Sequence, residues 1–134
     1  MASRSGEMIM LSDAKPVCFV LAADLPKARS FYTETLGLTE TGEDPFAVSY
    51  DLVGTALRLT KVDGHQPNPH TVLGWMVTDI EATIDALAAK GVAFAVYEGF
   101  GQDERGIWTD PGSGTKIAWF HDPEGNNLSL TQFA

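Results

Sequence analysis

Apolar residues fall along this chain in two kinds of run, and the order of the runs is given twice. Residues 16–23 are almost continuously apolar, the pattern of a buried strand, and Asp24 follows them as a helix cap with Pro26 tolerated in the first turn. Leu25, Ala28, Phe31, Tyr32, Thr35 and Leu36 then recur at three- and four-residue steps, so the helix buries one face, and Gly37 ends it. Strands are predicted over 38–42, 46–53 and 55–61, separated by Asp44-Pro45 and Gly54.

The order restarts after a proline-bearing connection, Lys61 to His70. Phe19-Val20-Leu21-Ala22-Ala23-Asp24-Leu25 is answered by Gly74-Trp75-Met76-Val77-Thr78-Asp79-Ile80, a strand at 71–77 leading into a helix capped by Asp79. That helix carries Ile80, Ile84, Leu87 and Ala88 on one side and closes at Lys90-Gly91. Strands follow at 92–97, 115–121 and 127–132. A glycine-rich arm over 98–114, with room for a short strand at Ile107-Trp108-Thr109, is the best candidate for a mobile flap. Asp122-Pro123-Glu124-Gly125 suits a type I turn, which makes Glu124 turn surface and not a catalyst.

Composition narrows the function classes. With 134 residues and 44% apolar content the chain fits one domain over 14–134: module one at 14–62, the connection at 63–70 and module two at 71–134. Residues 1–13 read as a frayed tail. The apolar run Met8-Ile9-Met10-Leu11 is too short for a secretory or membrane segment, so the protein is read as cytoplasmic. A net charge of -9 argues against nucleic acid and membrane partners, and is first of all a solubility feature. The single cysteine, Cys18, lies in an apolar strand and is expected to behave as a small hydrophobe. There is no phosphate loop, no Gly-x-Ser-x-Gly elbow and no Cys-x-x-Cys pair.

The stretch Asp24-Leu25-Pro26-Lys27-Ala28-Arg29-Ser30-Phe31-Tyr32 with Leu36-Gly37-Leu38, closed by Asp122-Pro123-Glu124-Gly125-Asn126-Asn127-Leu128-Ser129-Leu130, resembles the glyoxalase/bleomycin-resistance/dioxygenase (vicinal oxygen chelate) superfamily. The resemblance implies an α+β fold in which two βαβββ modules form curved mixed sheets around a concave cleft. It also implies pairing of modules within one chain or across a homodimer.

Enzymes of that family hold a divalent metal through side chains on the first and last strand of each module. Those four slots fall here on Val17, Arg58, Leu73 and Ser129, none of them a histidine or carboxylate. Shifting each slot by two residues adds only Cys18 as a donor. Arg58 would oppose a dication by roughly 8 kcal/mol at about 4 Å and an effective dielectric of about 20. His65, His70 and His121 are scattered in the sequence. The expectation is a protein with no metal and no cofactor.

With those slots facing inward, strand alternation sends Val17, Phe19, Leu21, Arg58, Thr60, Leu73, Trp75, Ile117, Trp119, His121, Asn127 and Ser129 into the cleft. Val20, Leu57, Leu59, Met76, Ala118, Phe120, Leu128 and Leu130 then pack beneath the helices. The ligand-binding candidates are Val17, Phe19, Arg58, Leu73, Trp75, Ile117, Trp119, His121 and Ser129. Trp75, Trp119 and Phe19 could stack on a planar ligand and Arg58 could pair with an anionic group on it. Strand tryptophans are also common core residues, and Arg58 could instead bond a protein acceptor. Similarity to the antibiotic-sequestering branch of the family favours a metal-free binding protein for a planar or aromatic small molecule. The alternative is a lyase, isomerase or dioxygenase of the same superfamily, either metal-dependent or using His121 as base and Arg58 as oxyanion partner.

Overall fold

A computed structural model of the chain describes residues 10–134. Of the expected tail, residues 1–9 lie outside the described residues, and Leu11–Asp13 form an exposed 3₁₀ turn. Module one comprises β1 (Val17–Ala22), α1 (Leu25–Ser30), β2 (Thr39–Glu43), β3 (Ala47–Leu52) and β4 (Thr55–Lys61). Module two comprises β5 (Thr71–Met76), α2 (Ile80–Ala88), β6 (Trp108–Thr109), β7 (Lys116–His121) and β8 (Asn127–Gln132). Each forms a four-stranded mixed sheet, ordered β1-β4-β3-β2 and β5-β8-β7-β6. In both, the first strand runs parallel to the last and the other pairs are antiparallel.

Both helices start where the acids stand. Asp24 accepts the Lys27 amide at 3.1 Å and Asp79 the Ala82 amide at 3.0 Å, each satisfying a donor that the first helical turn leaves unpaired. The first helix widens in its last turn: Phe31–Thr35 form a π-helical turn in which Leu36 bonds back to Phe31, before Gly37 takes a φ of 72°. One buried cluster serves both modules. Val20, Leu57, Leu59 and Tyr50 from the first sheet join Ala118, Phe120, Leu128 and Leu130 from the second, with Tyr32, Ile80 and Ile84 from the helices. The other face of each sheet lies outside this core.

Two expectations need correction. The strand predicted at 92–97 is reduced to one bridge, Phe94 to Phe120, with the Ala95 amide bonded to the Trp119 carbonyl. Beyond it the backbone is taken by a side chain: Gln102 accepts from the Tyr97 amide at 2.6 Å and donates to the carbonyls of Ala95 and Gly106. The apolar pattern carried no sign of that competing partner. The short strand in the arm is present as β6.

The second correction concerns β5. Thr71 pairs with Asn127, but Leu73 pairs with Leu128, so Val72 is an extra residue in the ladder. A one-residue offset exchanges the faces of a strand. Leu73 and Trp75 therefore lie on the core side with Leu128 and Leu130, and Trp75 stacks on Phe120 with ring centroids 6.3 Å apart. Met76, expected under the helices, is instead 75% exposed.

The turn at 122–126 fastens the modules together. Gly125 donates to the Asp122 carbonyl at 2.9 Å, closing the expected turn. Asp122 is buried, accepting the Glu124 and Asn126 amides on Oδ1, and the Tyr32 hydroxyl (2.6 Å) and Asn126 Nδ2 on Oδ2. Asn126 also donates to the Leu21 carbonyl, which leaves its Oδ1 to accept from Nε2 of His65 at 2.8 Å. Glu124 accepts from the amides of Ala23 and Asp24, both at 2.9 Å. Its carboxylate is thus a clasp between modules.

Candidate functional site

The open face of module one is built by β1 and β4, where Phe19 pairs with Arg58 and Leu21 with Thr60. Val17 and Phe19 remain 49% and 58% exposed, large apolar side chains held outside the core by strand alternation. Arg58 is half-buried and its Nη2 donates to Oδ2 of Asp44 at 3.0 Å. The Phe46 amide first, then Arg58, hold the Asp44 carboxyl below its ordinary range. The acid that answers Arg58 thus comes from its own module, in the turn between β2 and β3. Asp44-Pro45 was legible only as a break.

The open face of module two is more enclosed. Ser129 pairs with both Gly74 and Trp119, and Asn127 pairs with His121, which places all of these on one face with Ile117. Asn127 and Ser129 are only 5% and 7% exposed, although they lie away from the core. The arm accounts for the cover over Asn127: it brings Tyr97 and Phe100 to Trp119 in edge-on contacts at 6.2 and 5.5 Å, and the Tyr97 hydroxyl lies 3.3 Å from Asn127 Nδ2. Beside them is a recess of 320 Å³ whose aromatic wall is Tyr97, Phe100 and Trp119 and whose polar groups come from His70, Thr71 and Asn127. Thr71 donates to Asn127 Oδ1 at 2.9 Å, so the amide has a fixed orientation.

The sequence-derived candidates therefore divide. Val17, Phe19 and Arg58 share the open face of module one; Ile117, Trp119, His121 and Ser129 share that of module two. Leu73 and Trp75 belong to neither face. Phe19 lines a second recess, of 350 Å³, with Leu21, Val72 and His65, at the connection between modules. Tyr97, Phe100 and Thr71 escaped the sequence reading, and His70 entered it only as a scattered histidine of the connection. Their contacts depend on how the arm folds back, and the only hint was the aromatic content of an otherwise glycine-rich segment.

The residues present do not fit a divalent metal. With Leu73 turned to the core, its slot on the open face passes to Gly74, opposite Ser129, while the other slots hold Val17 and Arg58. A Cβ on Gly74 would stand 2.5 Å from Ser129 Oγ, so even a substituted ligand there would have to displace that hydroxyl. Among the described residues no group of three or more His, Cys, Asp or Glu is placed to hold a metal ion. His121 is exposed at the end of β7 in module two, whereas Arg58 is engaged by Asp44 in module one.

Paired βαβββ modules, each a four-stranded mixed sheet with one open face, define the fold class. The sequence profile of the Glyoxalase/Bleomycin resistance protein/Dioxygenase superfamily matches residues 16–130, and the chain belongs to that superfamily. Solved structures share the fold. A superfamily member from Sphaerobacter thermophilus DSM 20745 is similar at 25% identity and a TM-score of 0.70, covering 92% of this chain and 99% of that one. TnmS3, an antibiotic binding protein from Streptomyces sp. CB03234, is similar at 23% identity and 0.68, covering 94% and 100%. A lactoylglutathione lyase from Agrobacterium tumefaciens is similar at 17% and 0.66, covering 90% and 93%. No curated protein matches the chain in sequence.

Proposed function

We propose that this protein binds a planar or aromatic small molecule without metal and without chemistry, holding it against Trp119. The observation that carries this reading is the recess in which Tyr97, Phe100 and Trp119 supply ring surface while Thr71 and Asn127 supply fixed polar groups. Apolar walls with a few oriented polar atoms are the usual make-up of a ligand site. The antibiotic-binding neighbour is consistent with sequestration as the role, and the donor set at the four family slots speaks against metal chemistry. The metal-free enzyme reading is weakened by the exposure of His121 and by the pairing of Arg58 with Asp44.

The working unit in this proposal is a homodimer. Val17, Phe19, Val72 and Met76 are large exposed apolar residues on the two edge strands β1 and β5, a placement that a second copy would cover. Module one of one copy would then close over module two of the other, bringing Phe19 and Arg58 to the ligand recess. Module boundaries at 14–62 and 71–134 and a cytoplasmic location are part of the same reading. No described helix is long and apolar enough to cross a membrane, and the net charge of -9 disfavours nucleic acid.

The test is titration of purified protein with a panel of planar aromatic compounds, antibiotics included, followed by tryptophan fluorescence, together with elemental analysis. Saturable quenching that Trp119→Ala weakens at least tenfold, in protein with substoichiometric Fe, Mn, Ni and Zn, is the expected result. Stoichiometric metal whose removal abolishes a lyase, isomerase or dioxygenase activity would overturn the proposal.

A further inference from the structure

The connection between the modules carries the one place in the chain where an aspartate or asparagine is followed by glycine, Asp63-Gly64. The His65 amide donates to the Val62 carbonyl at 3.2 Å, which makes Asp63 and Gly64 the central pair of a turn, and Gly64 takes a φ of 74°. Among the described residues, no other backbone bond closes this turn.

Two features set Asp63 apart from the other aspartates. Its side chain is 93% exposed and its carboxylate meets only the Lys61 ammonium, 3.9 Å away, so nothing fixes its orientation. The carboxylates of Asp24, Asp51, Asp79 and Asp103 are instead pinned by backbone amides, and Asp85 is paired with Arg105. The second feature is the nitrogen that follows. Gly64 has no side chain to shield its amide, the space beside it is open, and the amide makes no hydrogen bond to any described residue. Asp44, Asp110 and Asp122 precede prolines, whose nitrogen has no proton to lose.

We propose that Asp63-Gly64 is a site of spontaneous covalent modification, at which Asp63 passes through a cyclic imide to isoaspartate. The Gly64 nitrogen attacks the Asp63 side-chain carboxyl carbon: a C–N bond forms, the C–OH bond breaks, and the hydroxyl leaves as water with the amide proton. Rotation of Asp63 into the reacting geometry is opposed by the single turn bond. Water then adds to either imide carbonyl. Opening at the side-chain carbonyl restores aspartate, whereas opening at the former main-chain carbonyl leaves the chain running through the side chain. The product is an isomer, so no oxidant, reductant or cofactor is consumed.

The consequence reaches the clasp between modules. Isomerisation adds one methylene to the main chain two residues before His65, whose Nε2 donates to Asn126 Oδ1 at 2.8 Å. The longer connection draws His65 off Asn126. Neither step depends on which ligand the cleft takes.

The purified full chain is incubated for weeks in H₂¹⁸O at mildly acidic pH and then digested with trypsin. Cleavage after Lys61 and Lys90 places Asp63, Asp79 and Asp85 in one peptide, so the other two aspartates are internal controls. The expected result is ¹⁸O uptake with β-aspartyl fragment ions at Asp63, at least tenfold above Asp79 and Asp85. Asp63→Glu, whose longer side chain closes its ring far more slowly, should abolish the signal, and Asp63→Asn, which expels ammonia in place of water, should accelerate it. The isomerised fraction, resolved by anion exchange, should unfold at lower urea than unmodified protein, as should His65→Ala. Isomerisation at Asp63 no faster than at Asp79 or Asp85, or an isomerised fraction with the unmodified midpoint, would overturn the proposal.

Discussion

The carboxylate of Glu124 accepts the backbone amide of Asp24 at 2.9 Å, while the Asp24 side chain accepts the amide of Lys27. A turn in module two thus completes the N-terminal cap of a helix in module one. Helix caps are ordinarily local; here half of the cap lies 100 residues away in sequence.

Glu124→Ala should lower stability by about 1.5 kcal/mol, the lower end for bonds to a charged group, since this contact is solvent-accessible. Glu124→Gln, which keeps one acceptor, should recover part of the loss. Urea denaturation of the three proteins measures it; equal midpoints would show that the clasp contributes nothing.

Tyr32→Phe should cost about 1–3 kcal/mol, because the buried Asp122 Oδ2 is left with Asn126 alone. Burial, followed by the charge of Asp122, pushes the Tyr32 hydroxyl far above its ordinary value. Its proton is therefore kept in the folded chain where the unfolded chain releases it. The resulting stability is complete below about pH 10 and declines as pH rises above that value. Denaturation midpoints between pH 8 and 11 should fall more steeply in wild type than in Tyr32→Phe.

At the acid end Glu40 acts in the opposite sense. Bonds from Arg29 first and Thr33 second bring its carboxyl down to about 2 from 4.5. Stability from this group is present above pH 4.5 and is lost as pH falls towards 2. Glu40→Gln should flatten that part of the acid profile, modestly, because the network is partly exposed and screened. An unchanged acid limb would mean that other carboxylates govern it.

Arg58 meets Asp44 through Nη2 alone, so a carboxylate ligand at its remaining donors competes with Asp44 for its charge. Asp44→Asn should therefore raise affinity for an acidic planar ligand by up to about fivefold, the equivalent of about 1 kcal/mol for an exposed ion pair. Binding of a neutral ligand should be unaffected. Calorimetry on matched acid and ester ligands makes the comparison, and equal effects on both would remove Arg58 from the site.

Phe19→Asp should convert a dimer to monomer in sedimentation while leaving the melting temperature of the monomer unchanged, since Phe19 is outside the core. A wild type that sediments as monomer would sink the dimer proposal.

How much was legible follows from where each residue finds its partner. β8 matches its predicted span because the alternation in Asn127–Gln132 is decided within the strand. The π-helical turn and the role of Gln102 were hidden, since each depends on hydrogen bonds that leave no mark on hydrophobic periodicity. β5 shows the sharpest limit. Its apolar residues were located correctly, yet the bulge at Val72 turned Leu73 and Trp75 to the core, and nothing in the local pattern marks which residue is the extra one. The site was half legible: Trp119 was visible by parity, whereas Tyr97 and Phe100 reach it only through the fold of the arm.

The clasp at 122–126 also orders events during synthesis. Ribosomes deliver about 5–20 residues per second, so module one emerges seconds before the turn that receives the Tyr32 hydroxyl and the amides of Ala23 and Asp24. Until then α1 lacks half its cap and the face of Tyr32 lacks its cover. The contacts that fasten α1 and Tyr32 are therefore completed only once the C-terminal half has been made.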